Sequence, residues 1–161
     1  MKYIRSITSI FLFFSIFVSH TLLANEQRVG EYTVHYNLFN SSKITPEVAT
    51  QYKLKRSNNI ALLNISVVRN ATDTDFKSST DVSTEPDKVT GVISNVFGQG
   101  QSLSGQHKGL AFREIREETA IYYIAAIPIF HGERLSFDIQ VQPEKIGKLI
   151  PISFKQQVFI E

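Results

Sequence analysis

The sequence predicts an all-β protein: a single antiparallel, immunoglobulin-like β-sandwich of about seven strands with one short helix. Three observations carry this reading. Runs of period-two alternation, rich in β-branched and aromatic residues, recur between turn-forming clusters. No long helical pattern separates them, which argues against a parallel sheet. The chain has 161 residues, enough for one domain plus a removable segment. It is too short for a TIM barrel or a two-half dinucleotide-binding fold.

Residues 1–24 stand apart from the fold. Lys2 and Arg5 precede an apolar run from Ile7 to Val18, and Ala24 is a small residue suited to cleavage. This is the pattern of a signal peptide, with an uncleaved N-terminal anchor as the alternative. The domain is then residues 25–161, expected in the periplasm with no membrane span after cleavage. Cleavage also removes two basic residues and leaves the charge balanced. A balanced charge argues against nucleic acid or an acidic membrane as an electrostatic partner. With no cysteine in the chain, disulfides, thiolate metal sites and cysteine nucleophiles are excluded.

The elements follow in order. Tyr32, Val34, Tyr36 and Leu38 alternate with polar residues, as in a half-buried strand. Thr45 and Pro46 are a cap and a first helical residue, so a short helix is expected over Pro46 to Tyr52. Ser57, Asn58 and Asn59 mark a turn. Ile60 to Arg69 is a strand with Leu63, Ile65 and Val67 on one face; Leu62 and Val68 imply cover on the other. The polar stretch from Asn70 to Lys88 reads either as a long loop or as an edge strand around Phe76 to Val82. Val89 to Phe97 is a strand, and Gly98 to Gly105 a Gly/Gln/Ser loop.

An antiparallel meander follows. Leu110 to Arg116 is a strand, Glu117-Glu118 a turn, and Thr119 to Phe130 the longest strand of the chain. His131-Gly132 is a tight hairpin turn. Arg134 to Val141 alternates cleanly. Pro143 to Lys148 turns, and Leu149 to Ile160 closes the domain.

Three segments together carry a resemblance: Tyr32-Thr33-Val34-His35-Tyr36-Asn37, Thr45-Pro46-Glu47-Val48-Ala49, and Phe112 to Glu117 running into Ala120-Ile121-Tyr122-Tyr123-Ile124. The chain resembles the small secreted Gram-negative proteins grouped as domain of unknown function 4426. The resemblance spans nearly all of residues 25–161. It implies a single β-rich envelope domain with no established activity, and it supplies no catalytic residues.

The residues themselves offer a candidate binding strip and no catalytic or metal constellation. In Arg113-Glu114-Ile115-Arg116-Glu117-Glu118, strand alternation places Glu114 and Arg116 on one face and Arg113 and Ile115 on the other. Arginine recognises carboxylate or phosphate through paired hydrogen bonds. Of Tyr122 and Tyr123, one points to the core and one outward, where it would serve as an interface anchor. His35 sits on a polar strand face within reach of a neighbouring carboxylate. The candidate binding residues are therefore Arg113, Glu114, Arg116, Tyr122, Tyr123 and His35. No Gly-x-Ser-x-Gly elbow is present, and the Gly98-Gln99-Gly100 run lacks the helix and Lys-Ser/Thr pair of a phosphate loop. Asp73/Asp75 and Glu117/Glu118 read as solvated carboxylates.

No cofactor is implied. The expectation is a non-enzymatic envelope module, a monomer or weak oligomer, that binds an unknown protein, peptide or envelope ligand. The alternative is a small periplasmic hydrolase or metal-dependent enzyme built on His35 and carboxylates. A pocket converging on His35, Glu114 and Arg116 would favour the enzyme.

Overall fold

The computed structural model describes residues 25–70 and 91–160. The expected signal peptide and the strand expected around Phe76 to Val82 lie outside them, as do Asp73 and Asp75. Nine strands appear among the described residues: β1 (Asn25–Val29), β2 (Tyr32–Asn40), β3 (Ile60–Arg69), β4 (Ser94–Ser102), β5 (His107–Gly109), β6 (Arg113–Arg116), β7 (Ile121–Pro128), β8 (Arg134–Pro143) and β9 (Ile150–Gln157). They form two sheets, ordered β1-β2-β3-β7-β6 and β5-β4-β8-β9. Every pairing between these strands is antiparallel.

The two inner faces make one core. Val34 and Leu38 on β2, Leu63, Ile65 and Val67 on β3, and Tyr123, Ala125 and Ile127 on β7 meet Leu135, Phe137, Ile139 and Val141 on β8 and Ile152 on β9. All are buried, and each strand contributes every second residue, as the pleat requires. An aromatic column bridges the layers. Tyr36 lies 4.9 Å from Phe154, and Phe154 stacks on Phe137 at 4.8 Å. At the edges, Gln27 on β1 donates to the Pro151 carbonyl on β9 (3.1 Å), and Gln156 on β9 donates to the Leu38 carbonyl on β2 (2.9 Å).

Strand β4 departs most from the sequence reading. The expected Gly98 to Gly105 loop is instead strand as far as Ser102, and among the described residues the strand begins at Ser94, the expected start at Val89 lying outside them. Gly91 forms only an isolated bridge with Val68. The glycines are there for room. A Cβ on Gly98 would lie 2.3 Å from the Asp138 carbonyl oxygen and 2.7 Å from the Ile139 Cα. A Cβ on Gly100 would sit 3.1 Å from the Phe137 ring, which lies over it. We expect Gly98→Ala to push β4 off β8 and cost about 1–3 kcal/mol in chemical denaturation. Gly109→Ala, where a Cβ meets nothing within 4 Å, should leave the midpoint unchanged.

Other boundaries also shift. Against an expected count of about seven strands, the described residues hold nine. Asn25–Val29 and His107–Gly109 are too polar or too short to show alternation, yet both pair in register. The Leu110 to Arg116 strand shortens to Arg113–Arg116, and the Thr119 to Phe130 strand to Ile121–Pro128. The longest strands are β3 and β8, ten residues each. The short helix α1 spans Pro46–Gln51; Thr45 caps it by accepting the Val48 N–H. A single 3-10 turn (Ser41–Lys43) precedes it.

Arg69, at the end of β3, ties the two sheets together at that end. It pairs with Glu144 of the β8–β9 turn and, at 3.4 Å, with Glu31, and it lies over the Tyr32 ring.

Candidate functional site

The β6–β7 hairpin carries most of the candidate strip. It closes through Glu117 N–H to the Ala120 carbonyl (2.9 Å). Its register pairs Arg113 with Ile124, Glu114 with Tyr123, Ile115 with Tyr122, and Arg116 with Ile121. Paired residues share a face. Tyr123 and Ile121 belong to the core face, so Glu114 and Arg116 lie on that side, at its rim. Arg113, Ile115 and Tyr122 lie on the outer face of the first sheet. The strip thus separates into two arrangements.

On the inner side a chain of polar groups closes the rim. The Ser94 N–H donates to the buried Tyr123 hydroxyl (2.7 Å), which donates to Glu114 Oε2 (3.3 Å). Glu114 Oε1 accepts from Arg116 Nε at 2.5 Å. Burial pushes the Tyr123 phenol up. The hydrogen bond from Arg116 holds the Glu114 carboxyl below its ordinary value, against a smaller opposing effect of burial. A lowered folded value means stabilisation that is present above the ordinary value of 4.5 and lost as pH falls through the folded value. Melting temperature followed against pH should therefore show wild type ahead of Glu114→Gln at neutral pH. The gap should close as the solution is acidified below 4.5.

On the outer side Arg113 anchors the segment after α1. Its guanidinium donates to the carbonyls of Tyr52 and Lys53. The Tyr52 hydroxyl donates to Glu117, and that carboxylate pushes the phenol up. These two links set α1 against the hairpin and leave an open groove of about 750 Å³ between them. Val48, Gln51, Tyr52, Arg116, Glu117, Glu118 and Thr119 line it. Arg116 is half-exposed and lines the groove while Glu114 holds its Nε. His35 lies elsewhere on the outer face. Its register partners are Glu26 on β1 and Ser66 on β3, and Ser66 in turn opposes Tyr122. His35 Nδ1 is 3.6 Å from Glu26 Oε2, a carboxylate on the neighbouring strand. His35 and Tyr122 therefore share a row across the sheet, and His35 does not converge with Glu114 and Arg116.

Sequence reasoning misses two features. The groove wall formed by Val48, Gln51 and Tyr52 is one, because nothing in the sequence shows where a six-residue helix docks. The other is a buried ion pair at the far end of the sandwich. Lys108 Nζ lies 2.9 Å from Glu133 Oε1, with the two side chains 6% and 10% exposed. Lys108 also donates to the Pro128 carbonyl (3.2 Å), and Glu133 Oε2 accepts the Phe130 N–H (3.0 Å). The sequence pattern assigns no element to His107-Lys108-Gly109, so only the central position of Lys108 in a short strand could have flagged it. Among the described residues, no group of three or more His, Asp or Glu could hold a metal, and no helix is long and apolar enough to cross a membrane.

The fold and site define a small all-β, sandwich-like domain with a groove at one hairpin. Residues 26–161 match the family model described as Domain of unknown function (DUF4426), and the chain belongs to that family. It is similar to a DUF4426 family protein from Pseudomonas aeruginosa PAO1 of known crystal structure. The two share 32% sequence identity at a TM-score of 0.66, over 85% of this chain and 95% of that one. No curated protein matches the chain.

Proposed function

We propose that this protein is a non-enzymatic periplasmic module that binds a protein, peptide or other envelope ligand through the groove between α1 and the β6–β7 hairpin. The observation that carries the reading is Arg116. It is fixed at Nε by Glu114 and lines an open groove that also offers the Tyr52 ring and the Thr119 hydroxyl. A guanidinium held at one nitrogen is pre-organised for an acidic group on a partner. The periplasmic assignment rests on Lys2, Arg5 and the apolar run from Ile7 to Val18.

The immunoglobulin-like assignment belongs to the same proposal. It is supported by strand order. With β1 set aside, β2-β3-β7-β6 corresponds to A-B-E-D and β5-β4-β8-β9 to C′-C-F-G of that fold. The enzyme alternative, built on His35 and carboxylates, would be favoured by a pocket converging on His35, Glu114 and Arg116; His35 lies on the opposite face of the first sheet from the other two.

Arg116→Ala separates recognition from architecture. The variant is expected to melt within a degree or two of wild type, because a partly exposed ion pair is worth under about 1 kcal/mol. It is expected to lose the envelope component that the wild-type chain retains in pull-down. A sharp fall in melting temperature, or unchanged retention, would make Arg116 a structural tie and end the recognition reading.

A further inference from the structure

The outer face of the second sheet carries a surface independent of the groove. Strand register sets its outward side chains in rows that run across the strands. Phe97 on β4, Gln140 on β8 and Pro151 on β9 form one row. Asn95 and Gln142 form the row on one side of it, and Gln99, Asp138 and Ser153 the row on the other. Phe97 is 49% exposed, and Pro151 is exposed as well. The middle row is thus an apolar strip with an amide at its centre, flanked by two polar rows.

The polar groups are of two kinds. Some are held in place: Asn95 donates to Gln142 (3.0 Å), and the Ser153 hydroxyl donates to Asp138 Oδ1 (2.8 Å). Others are unengaged. Among the described residues, the side-chain amides of Gln99 and Gln140 have no hydrogen-bond partner. Gln140 stands directly opposite Phe97, and Gln99 two residues along the same strand. Asp138 is the one charge in the three rows.

We propose that this face binds a neutral polysaccharide with a flat, extended backbone of β-linked pyranose rings. Such a ring has C–H faces and a rim of hydroxyls. Laid on the strip, its faces meet the Phe97 ring and Pro151, and its rim reaches the polar rows. Each hydroxyl donates and accepts, as each amide does. Phe97 and Pro151 stand two strand spacings apart, about 10 Å, the length of one disaccharide in an extended chain. Two observations select sugar over other partners. A face with one charge has little pull on nucleic acid or an anionic surface. A protein partner would bury two unengaged amides beside a small apolar area, at a cost unless a matched group met each of them. A chain of hydroxyls supplies those groups at every ring.

Calorimetric titration of the full chain with chitotetraose and with cellotetraose, two neutral β-linked tetrasaccharides, is the test. Binding of at least one is expected, and the tighter of the two separates an N-acetylated wall glycan from a plain glucan. Phe97→Ala is expected to weaken binding about tenfold and to leave the melting temperature nearly unchanged, since the ring is exposed. Gln140→Leu keeps the size, removes the amide and should weaken binding too. Phe97→Trp should preserve binding and report it as a change in emission, because the chain has no other tryptophan. Phe159→Ala, which removes an exposed ring elsewhere, should bind as wild type does. The proposal is overturned if neither sugar binds, if coiled, α-linked maltotetraose binds equally well, or if Phe97→Ala and Gln140→Leu both bind like wild type. Phe97-dependent capture of a protein, with no binding of either sugar, would assign the face to a protein partner and overturn it as well.

Discussion

Glu133→Ala is expected to destabilise the protein by about 3–5 kcal/mol, measured as a lowered urea midpoint at constant m-value. The reason is what the substitution leaves behind. Lys108 is almost fully buried, and without Glu133 its ammonium keeps only the Pro128 carbonyl and the face of the Phe130 ring, 5.1 Å away. An uncompensated buried charge costs far more than the pair itself contributes. The double substitution Lys108→Met with Glu133→Leu removes both charges, keeps comparable volume and should recover most of the loss. If the single and double variants fall equally, the pair is not what holds this end together.

The second large effect is expected at Phe137. Phe137→Ala should cost about 3–5 kcal/mol, and Phe137→Leu clearly less. The ring is buried, stacks on Phe154 at 4.8 Å and covers Gly100, which has no side chain of its own to fill the space. Truncation opens a cavity bordered by a glycine on one strand and an aromatic on the next, and neither can collapse into it. A loss under about 1 kcal/mol would mean that β4 moves in to fill the gap, and that the small residues of β4 are not what seats the ring.

Much of this fold is written as alternation. Val34 and Leu38, Leu63 to Val67, and Leu135 to Val141 each show period two in the sequence, and each lines the core. Thr45 and Pro46 announce α1 because capping is a local interaction. What escapes is what depends on distant neighbours. Gly98 and Gly100 look like loop residues, since the strand that crowds Gly98 and the ring that covers Gly100 lie some 40 positions away. At the site, alternation divides Arg113 from Arg116 and Tyr122 from Tyr123 correctly. It does not reveal that Tyr52 closes a groove over the hairpin, or that Lys108 finds Glu133. Those are contacts between elements whose relative placement no local pattern encodes.

The two glutamines that cross between the sheets bear on how this chain behaves at high concentration. Sheet borders offer unpaired backbone to any passing strand, and two such borders on one molecule are enough for run-on polymerisation. Here Gln27 occupies the Pro151 carbonyl and Gln156 the Leu38 carbonyl, while Pro151 itself has no N–H to offer. At the other margin β5 and β6 are only three and four residues long, too short to template a ladder. A crowded solution of this protein is thereby guarded against fibre growth by two side-chain amides and one proline, and Gln27→Val with Gln156→Val is the change that would remove the guard.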